Sequence, residues 1–143
     1  MTQELLHLGA HETLRVVALS PDELHIEATW DPGSDAPIAH LHPAQDEQFK
    51  VLAGTLTAVV GGEQRELRTG DTLSVPRGTP HKMWNAGAEE ASASWRVLPA
   101  GRTLDFFREI DRLRAGGTQE PAVEGLIAAV TEYADVFVPV MDG

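Results

Sequence analysis

Short stretches of alternating character, cut off by glycine or proline about every ten residues, constrain this chain more than any other feature. Residues 24–30, LHIEATW, set the pattern: Leu24, Ile26, Ala28 and Trp30 share one face of an extended chain, while His25, Glu27 and Thr29 share the other. Residues 13–19, 55–60 and 91–98 read as strands of the same kind. SPDE, Gly54, Gly61-Gly62, Gly70-Asp71 and Pro76 supply the breaks. The charged run 63–68, EQRELR, fits a returning strand at an exposed edge. Eight or so such strands imply a mainly β, antiparallel sandwich or barrel. Residues 1–12 lack a convincing period and read as an arm that carries His7 and His11 at the surface.

The pattern changes after Pro99. Thr103 is placed to cap a helix in which Phe106, Phe107, Ile110 and Leu113 recur at helical spacing, and Gly116-Gly117 is placed to end it. Pro121 suits a first helical turn, and Val123, Leu126, Ile127, Val130 and Tyr133 form a second apolar stripe. One or two C-terminal α-helices are expected to pack outside the barrel or to close one of its mouths. Two helices in some 40 residues bury no core of their own, so residues 1–143 are expected to form one domain. Its barrel covers about 13–99 and its helical extension about 102–137.

Eleven basic against 22 acidic residues leave a net charge of −11, which argues against nucleic acid and anionic membrane as partners. No cysteine is present, so disulfides, thiolate catalysis and cysteine-type zinc sites are excluded. The first residues carry no secretory signature, and no apolar run approaches the roughly 18 residues of a membrane helix. A cytoplasmic protein is expected.

The chemistry is concentrated in HLHPAQDEQFKVLAG, residues 40–54. His40 and His42, two apart, face the same way on a strand. Glu47, Phe49 and Val51 share one face of the next strand, with Asp46, Gln48 and Lys50 on the other. Two imidazoles and a carboxylate turned into one interior are three ligands for a borderline divalent ion, and His81 is a fourth candidate. Asn85 is expected to fasten a barrel turn. Phe49, Val51, Leu73, Val75 and Met83 are candidates for an apolar lining, with Trp30 and Trp95 beside them, and Trp84 faces the other way from His81.

Two spaced motifs now stand out. The first runs Gly33, six residues, His40-Leu41-His42, four residues, Glu47, six residues, Gly54. The second runs Gly70, five residues, Pro76-Arg77-Gly78, two residues, His81, three residues, Asn85. They resemble the paired motifs of the cupin superfamily, of the small RmlC-like jelly-roll type, with one extra residue in the first gap. The resemblance implies an antiparallel jelly-roll barrel. It also implies that His40, His42, Glu47 and His81 hold one divalent transition metal per chain (Mn, Fe, Ni, Co or Zn). Cupins of this size are commonly homodimers, which the resemblance carries over as an expectation.

The family implies no single reaction. The first expectation is a metal-dependent oxygenase acting on a small organic substrate, dioxygenase-like, with Glu47 as ligand or proton acceptor. The alternatives are a metal-dependent cyclase or isomerase of polyketide-type substrates, and a non-enzymatic module that binds a metal or small molecule. A metal-free sugar epimerase would need a tyrosine acid, and Tyr133, the single tyrosine, lies far from the motifs in sequence.

Overall fold

In a computed structural model, which describes residues 4–115 and 119–140, eleven strands and two helices succeed one another. The strands are β1 (Leu5–Gly9), β2 (Glu12–Ser20), β3 (Glu23–Trp30), β4 (His40–Leu41), β5 (Asp46–Ala53), β6 (Thr55–Val60), β7 (Glu63–Arg68), β8 (Thr72–Val75), β9 (His81–Trp84), β10 (Ala91–Leu98) and β11 (Val138–Pro139). The helices are α1 (Thr103–Leu113) and α2 (Val123–Glu132).

Four antiparallel pairs are nested one inside the next: β6 with β7, β5 with β8, β4 with β9 and β3 with β10. That nesting is one long hairpin rolled over on itself. It produces two facing sheets, ordered β1-β2-β3-β10-β5-β8 and β11-β4-β9-β6-β7. The expected jelly roll is present, although the two sheets do not join into a closed ring. The alternation decides which side faces in. Leu24, Ile26, Ala28 and Trp30 of β3 are buried, and so are Ala91, Ala93, Trp95 and Val97 of β10. β7 lies at a sheet edge and, but for Leu67, is exposed, as its charge demands.

The N-terminal arm is a strand, contrary to expectation. β1 pairs with β2, placing Leu6 opposite Leu14, both buried. Five residues offer too few inward positions for a period to show. His7 is held rather than free: its backbone N–H donates to Asp111 Oδ1 at 2.7 Å, and its Nδ1 lies 3.0 Å from the same oxygen.

The helices depart from expectation in three ways. Arg102, not Thr103, is the cap residue of α1, and no side chain caps it. Thr103 is buried, and its hydroxyl accepts from Gln45 Nε2 at 2.6 Å. Pro121 lies just before α2, which begins at Val123 after Ala122. The stripe of α2 is split: Val130 and Tyr133 pack against the core, whereas Val123 and Ile127 are 67% and 59% exposed. The physical reason is close approach. A Cβ on Gly125 would lie 2.9 Å from Leu113 Cδ2, so α2 approaches α1 at this small residue while Val123 and Ile127 face outward. Gly116-Gly117, expected to end α1, falls outside the described residues.

Candidate metal centre

His40 is directly opposite His81 in the β4–β9 register, so their imidazoles are cross-strand neighbours with ring centroids 4.4 Å apart. His42 follows β4, which is only two residues long, so it reaches the site from the loop rather than from the strand expected. The Gly78 backbone N–H donates to the His42 carbonyl at 2.8 Å and fixes that loop. Glu47 comes from β5 in the facing sheet. The four side chains, drawn from both sheets, offer ligand atoms that all lie within 4.8 Å of one another.

Each of three residues has its other polar atom tied to the protein. His42 Nδ1 meets the Val136 carbonyl at 2.7 Å, and His81 Nδ1 meets the Thr79 carbonyl at 2.9 Å. A neutral ring that donates through Nδ1 presents a lone pair at Nε2. Glu47 Oε2 accepts the Trp95 indole N–H at 2.6 Å, which leaves Oε1 facing the cluster. Glu47 Oε1 then stands 3.0 Å from His42 Nε2 and 2.7 Å from His81 Nε2. His42 Nε2 and Glu47 Oε1 are buried without a hydrogen-bond partner.

Acceptors facing one another at such distances require a proton or a cation between them. Donors on adjacent corners of an octahedron with bonds of about 2.0–2.2 Å lie about 3 Å apart, so the cluster could hold one metal ion. The electrostatics agree. Burial, helped by the neighbouring His81 and His42 rings, pushes His40 down to about 3, leaving its lone pair free. Burial alone would raise Glu47, but contact with His42 and His81 outweighs it and holds the carboxyl well below the usual range. For His42 burial opposes the cation, yet Glu47 and the Val136 carbonyl raise it above its ordinary value.

The cluster opens on a cavity of about 350 Å³. Phe49, Met83, Trp30 and Trp95 line it as expected. Val51, Leu73 and Val75 do not: they are buried core, off this wall. Phe106, Phe107 and Ile110 of α1 and Leu126 and Val130 of α2 cover the cavity, so the helices close a mouth of the barrel. Three lining features escaped the sequence reading. Phe137 stacks on His40 at 4.7 Å, brought there by β11. Trp95 bonds Glu47. Glu12 reaches the wall from β2, and its parity with buried Leu14, an acid at an inward position, was the available signal.

The remaining candidates lie elsewhere. His25 meets Ser94 Oγ at 2.9 Å, and His11 lies 3.6 Å from Asp31. Asp46 points outward and accepts from the Arg77 backbone N–H. Asn85 fastens a turn as expected, donating to the Trp30 and Glu89 carbonyls and accepting from Gly87 N–H. Trp84 lines a separate depression.

Residues 26–97 match the family described as Cupin domain, a span that contains both histidine motifs. The chain belongs to the cupin family. This cupin is 45% identical over 53 residues to "Oxidoreductase iacF" of Pestalotiopsis fici, covering 36% of the chain and 26% of that protein. It is 32% identical over 75 residues to "Tetracenomycin polyketide synthase protein TcmJ" of Streptomyces glaucescens, covering 52% and 48%. The cupin therefore spans between a quarter and about half the length of these relatives. Among solved structures, KdgF from Halomonas sp. superposes with a TM-score of 0.63 at 21% identity, covering 71% of this chain and 92% of that one. At that identity the likeness speaks for the fold. Among the described residues, no helix is long and apolar enough to cross a membrane.

Proposed function

We propose that this cupin is a metal-dependent oxidoreductase, an oxygenase acting on a small, largely apolar organic molecule that binds through two oxygens. The observation that carries the reading is the convergence of His40, His42, Glu47 and His81 on one wall of an apolar cavity. Four protein donors leave a six-coordinate ion two positions for substrate or water, more than a structural site keeps open. The oxidoreductase name of one relative supports the same direction. An ion held by His40, His42, Glu47 and His81 would supply Lewis acidity and, were it Mn or Fe, a one-electron couple. The protein does the rest. Val136 and Thr79 carbonyls keep two imidazoles oriented, aromatic walls exclude water, and Glu47 Oε1 serves as ligand or, when a substrate hydroxyl arrives, as proton acceptor.

A second reading is a cyclase or isomerase of polyketide-type substrates, and the polyketide synthase name of the other relative supports its substrate class. In either case we propose a homodimer, for which exposed Leu5 and Leu19 on β1 and β2 offer apolar surface.

Elemental analysis of protein purified without chelator, followed by oxygen-electrode assays with catechols and enolic diketones, tests the proposal. About one ion per chain and substrate-dependent oxygen uptake are expected. Turnover under nitrogen favours the second reading, and ligand binding with no turnover in either atmosphere makes the cupin a binding module. Failure to bind any divalent transition ion overturns both enzymatic readings.

A further inference from the structure

Outside the donor cluster, the cavity wall carries one titratable side chain among the described residues, Glu12. It sits on β2 directly opposite Trp30 of β3, and its carboxylate accepts a hydrogen bond from the Trp30 side chain. The other indole on the wall, Trp95, is committed to Glu47. Apart from the histidines, the aromatic rings and the helix residues, the rest of this wall is Leu8, Pro37, Ile38 and Met83, all apolar. Glu12, Trp30, Pro37 and Met83 also wall a second, more polar depression that reaches His11, Ser34, Asp35 and Trp84. Glu12 therefore stands where the two hollows adjoin, apart from the four converging donors.

A carboxylate has about four lone-pair sites, of which the bond to Trp30 takes up one. An acid placed in an apolar wall is costly unless something meets it. Burial, reinforced by the charge of Glu47 and opposed by the Trp30 bond, pushes its carboxyl up to about 7. A ligand that brings a hydrogen-bond donor would relieve that cost, whereas an analogue lacking the donor would leave it in place. Such a site discriminates strongly, because the penalty falls on the ligand that lacks the donor.

We propose that Glu12 is a specificity-determining residue, and that the cavity takes a flat, mostly apolar molecule with a chelating oxygen pair at one end and a hydroxyl or N–H donor at the other. The first half of that description rests on the metal reading above. The second half rests on Glu12 alone. The cavity volume of about 350 Å³ suits a ligand of two or three fused or linked rings.

The test uses the metal-loaded full chain with flavonol, whose chelation is visible by absorbance, and with flavonols monohydroxylated at different positions of the outer rings. Wild-type protein is expected to bind at least one hydroxylated probe tenfold or more tightly than flavonol itself. Glu12→Leu is expected to erase that preference, chiefly by tightening flavonol itself, while leaving metal content within twofold. Glu12→Gln keeps an acceptor for Trp30, so it should fold as the parent does and lose at least threefold of the preference. No preference in the wild type, or a preference that survives in Glu12→Leu, overturns the proposal. If Glu12→Leu fails to fold, an unchanged preference in Glu12→Gln overturns it instead. Chelator-stripped protein separates the two layers: flavonol binding that persists without metal sinks the chelation reading and leaves the Glu12 result to stand by itself.

Discussion

Trp95 donates its indole N–H to Glu47 at 2.6 Å, and the two residues are diagonal neighbours across β10 and β5, since Glu47 is opposite Val97 and Phe49 is opposite Trp95. The sheet register therefore decides which carboxylate oxygen faces the histidines. One oxygen is held by the indole, and the other has nowhere to turn but the donor cluster.

Trp95→Phe removes that donor and keeps an aromatic ring between Phe49 and Phe107, whose centroids lie 5.3 and 5.4 Å from that of Trp95. Loss of a bond that orients a ligand typically costs about 10–100-fold in metal affinity. The buried Glu47 oxygen left unpaired should also lower stability by about 1–3 kcal/mol. Competition titration against a metal indicator, alongside urea denaturation, measures both. Unchanged affinity would mean that Glu47 is oriented by its strand alone.

His42→Ala deletes a donor of the cluster and, with it, the partner of the Val136 carbonyl. The folded barrel should survive, because its core is built from fully buried strand residues such as Leu24, Ile26 and Val97. A metal at one hundred times its Kd stabilises a folded protein by about 2.7 kcal/mol. The thermal midpoint of the parent should rise on adding metal, and that of His42→Ala should not. A variant stabilised as much as the parent would remove His42 from the ligand set.

The jelly roll and the donor quartet were legible in the sequence because both depend on strict spacing. Period-two alternation fixes which side chains face inward, and two histidine motifs with set intervals between donors leave little freedom once the strands roll up. What escaped was set by tertiary approach. Gln45, in the loop between the histidines and Glu47, donates to the Pro99 and Ala100 carbonyls and to Thr103, tying the site to α1. Nothing local to Gln45 announces partners some 55 residues away. The outward turn of Val123 and Ile127 likewise accompanies the closeness of Gly125 to Leu113, which no helical period contains. Glu12 was legible only in hindsight, as a polar residue in step with Leu14.

Glu12 also makes a prediction about stability and pH. Its carboxyl is raised from an ordinary 4.5 to about 7, so between those values the folded protein binds more protons than the unfolded chain. Stability then falls as pH rises through that window, by at most about 1.4 kcal/mol per pH unit, and less because the residue is only half-buried. Glutamine carries no charge and escapes the loss. The stability of metal-free Glu12→Gln relative to the parent should therefore grow between pH 5 and pH 8, by on the order of 1–3 kcal/mol in total. Denaturation curves with chelator at three pH values decide it. A constant difference across the range would mean that Glu12 keeps an ordinary carboxyl.

Phe137 closes the site from the C-terminal side. It stacks on His40 with an interplanar angle of 24° and on Phe106 of α1 at 4.8 Å, and β11 holds it there by pairing Val138 with Leu41 and Pro139 with His40. The ring thus joins the donor cluster to the helix that roofs the cavity. Phe137→Ala leaves all four donors in place but opens the cluster to water. Burying an aromatic ring completely is worth about 3–5 kcal/mol in a core, and Phe137 is only partly buried, so a loss of about 1–3 kcal/mol is expected. The sharper consequence is kinetic. An apolar shell controls solvent access to a metal, so transfer of the ion to an external chelator should accelerate several-fold while the number of ions bound per chain stays the same. Stopped-flow transfer to a coloured chelator measures the rate directly. Equal rates in the two proteins would show that Phe137 does not limit release of the ion.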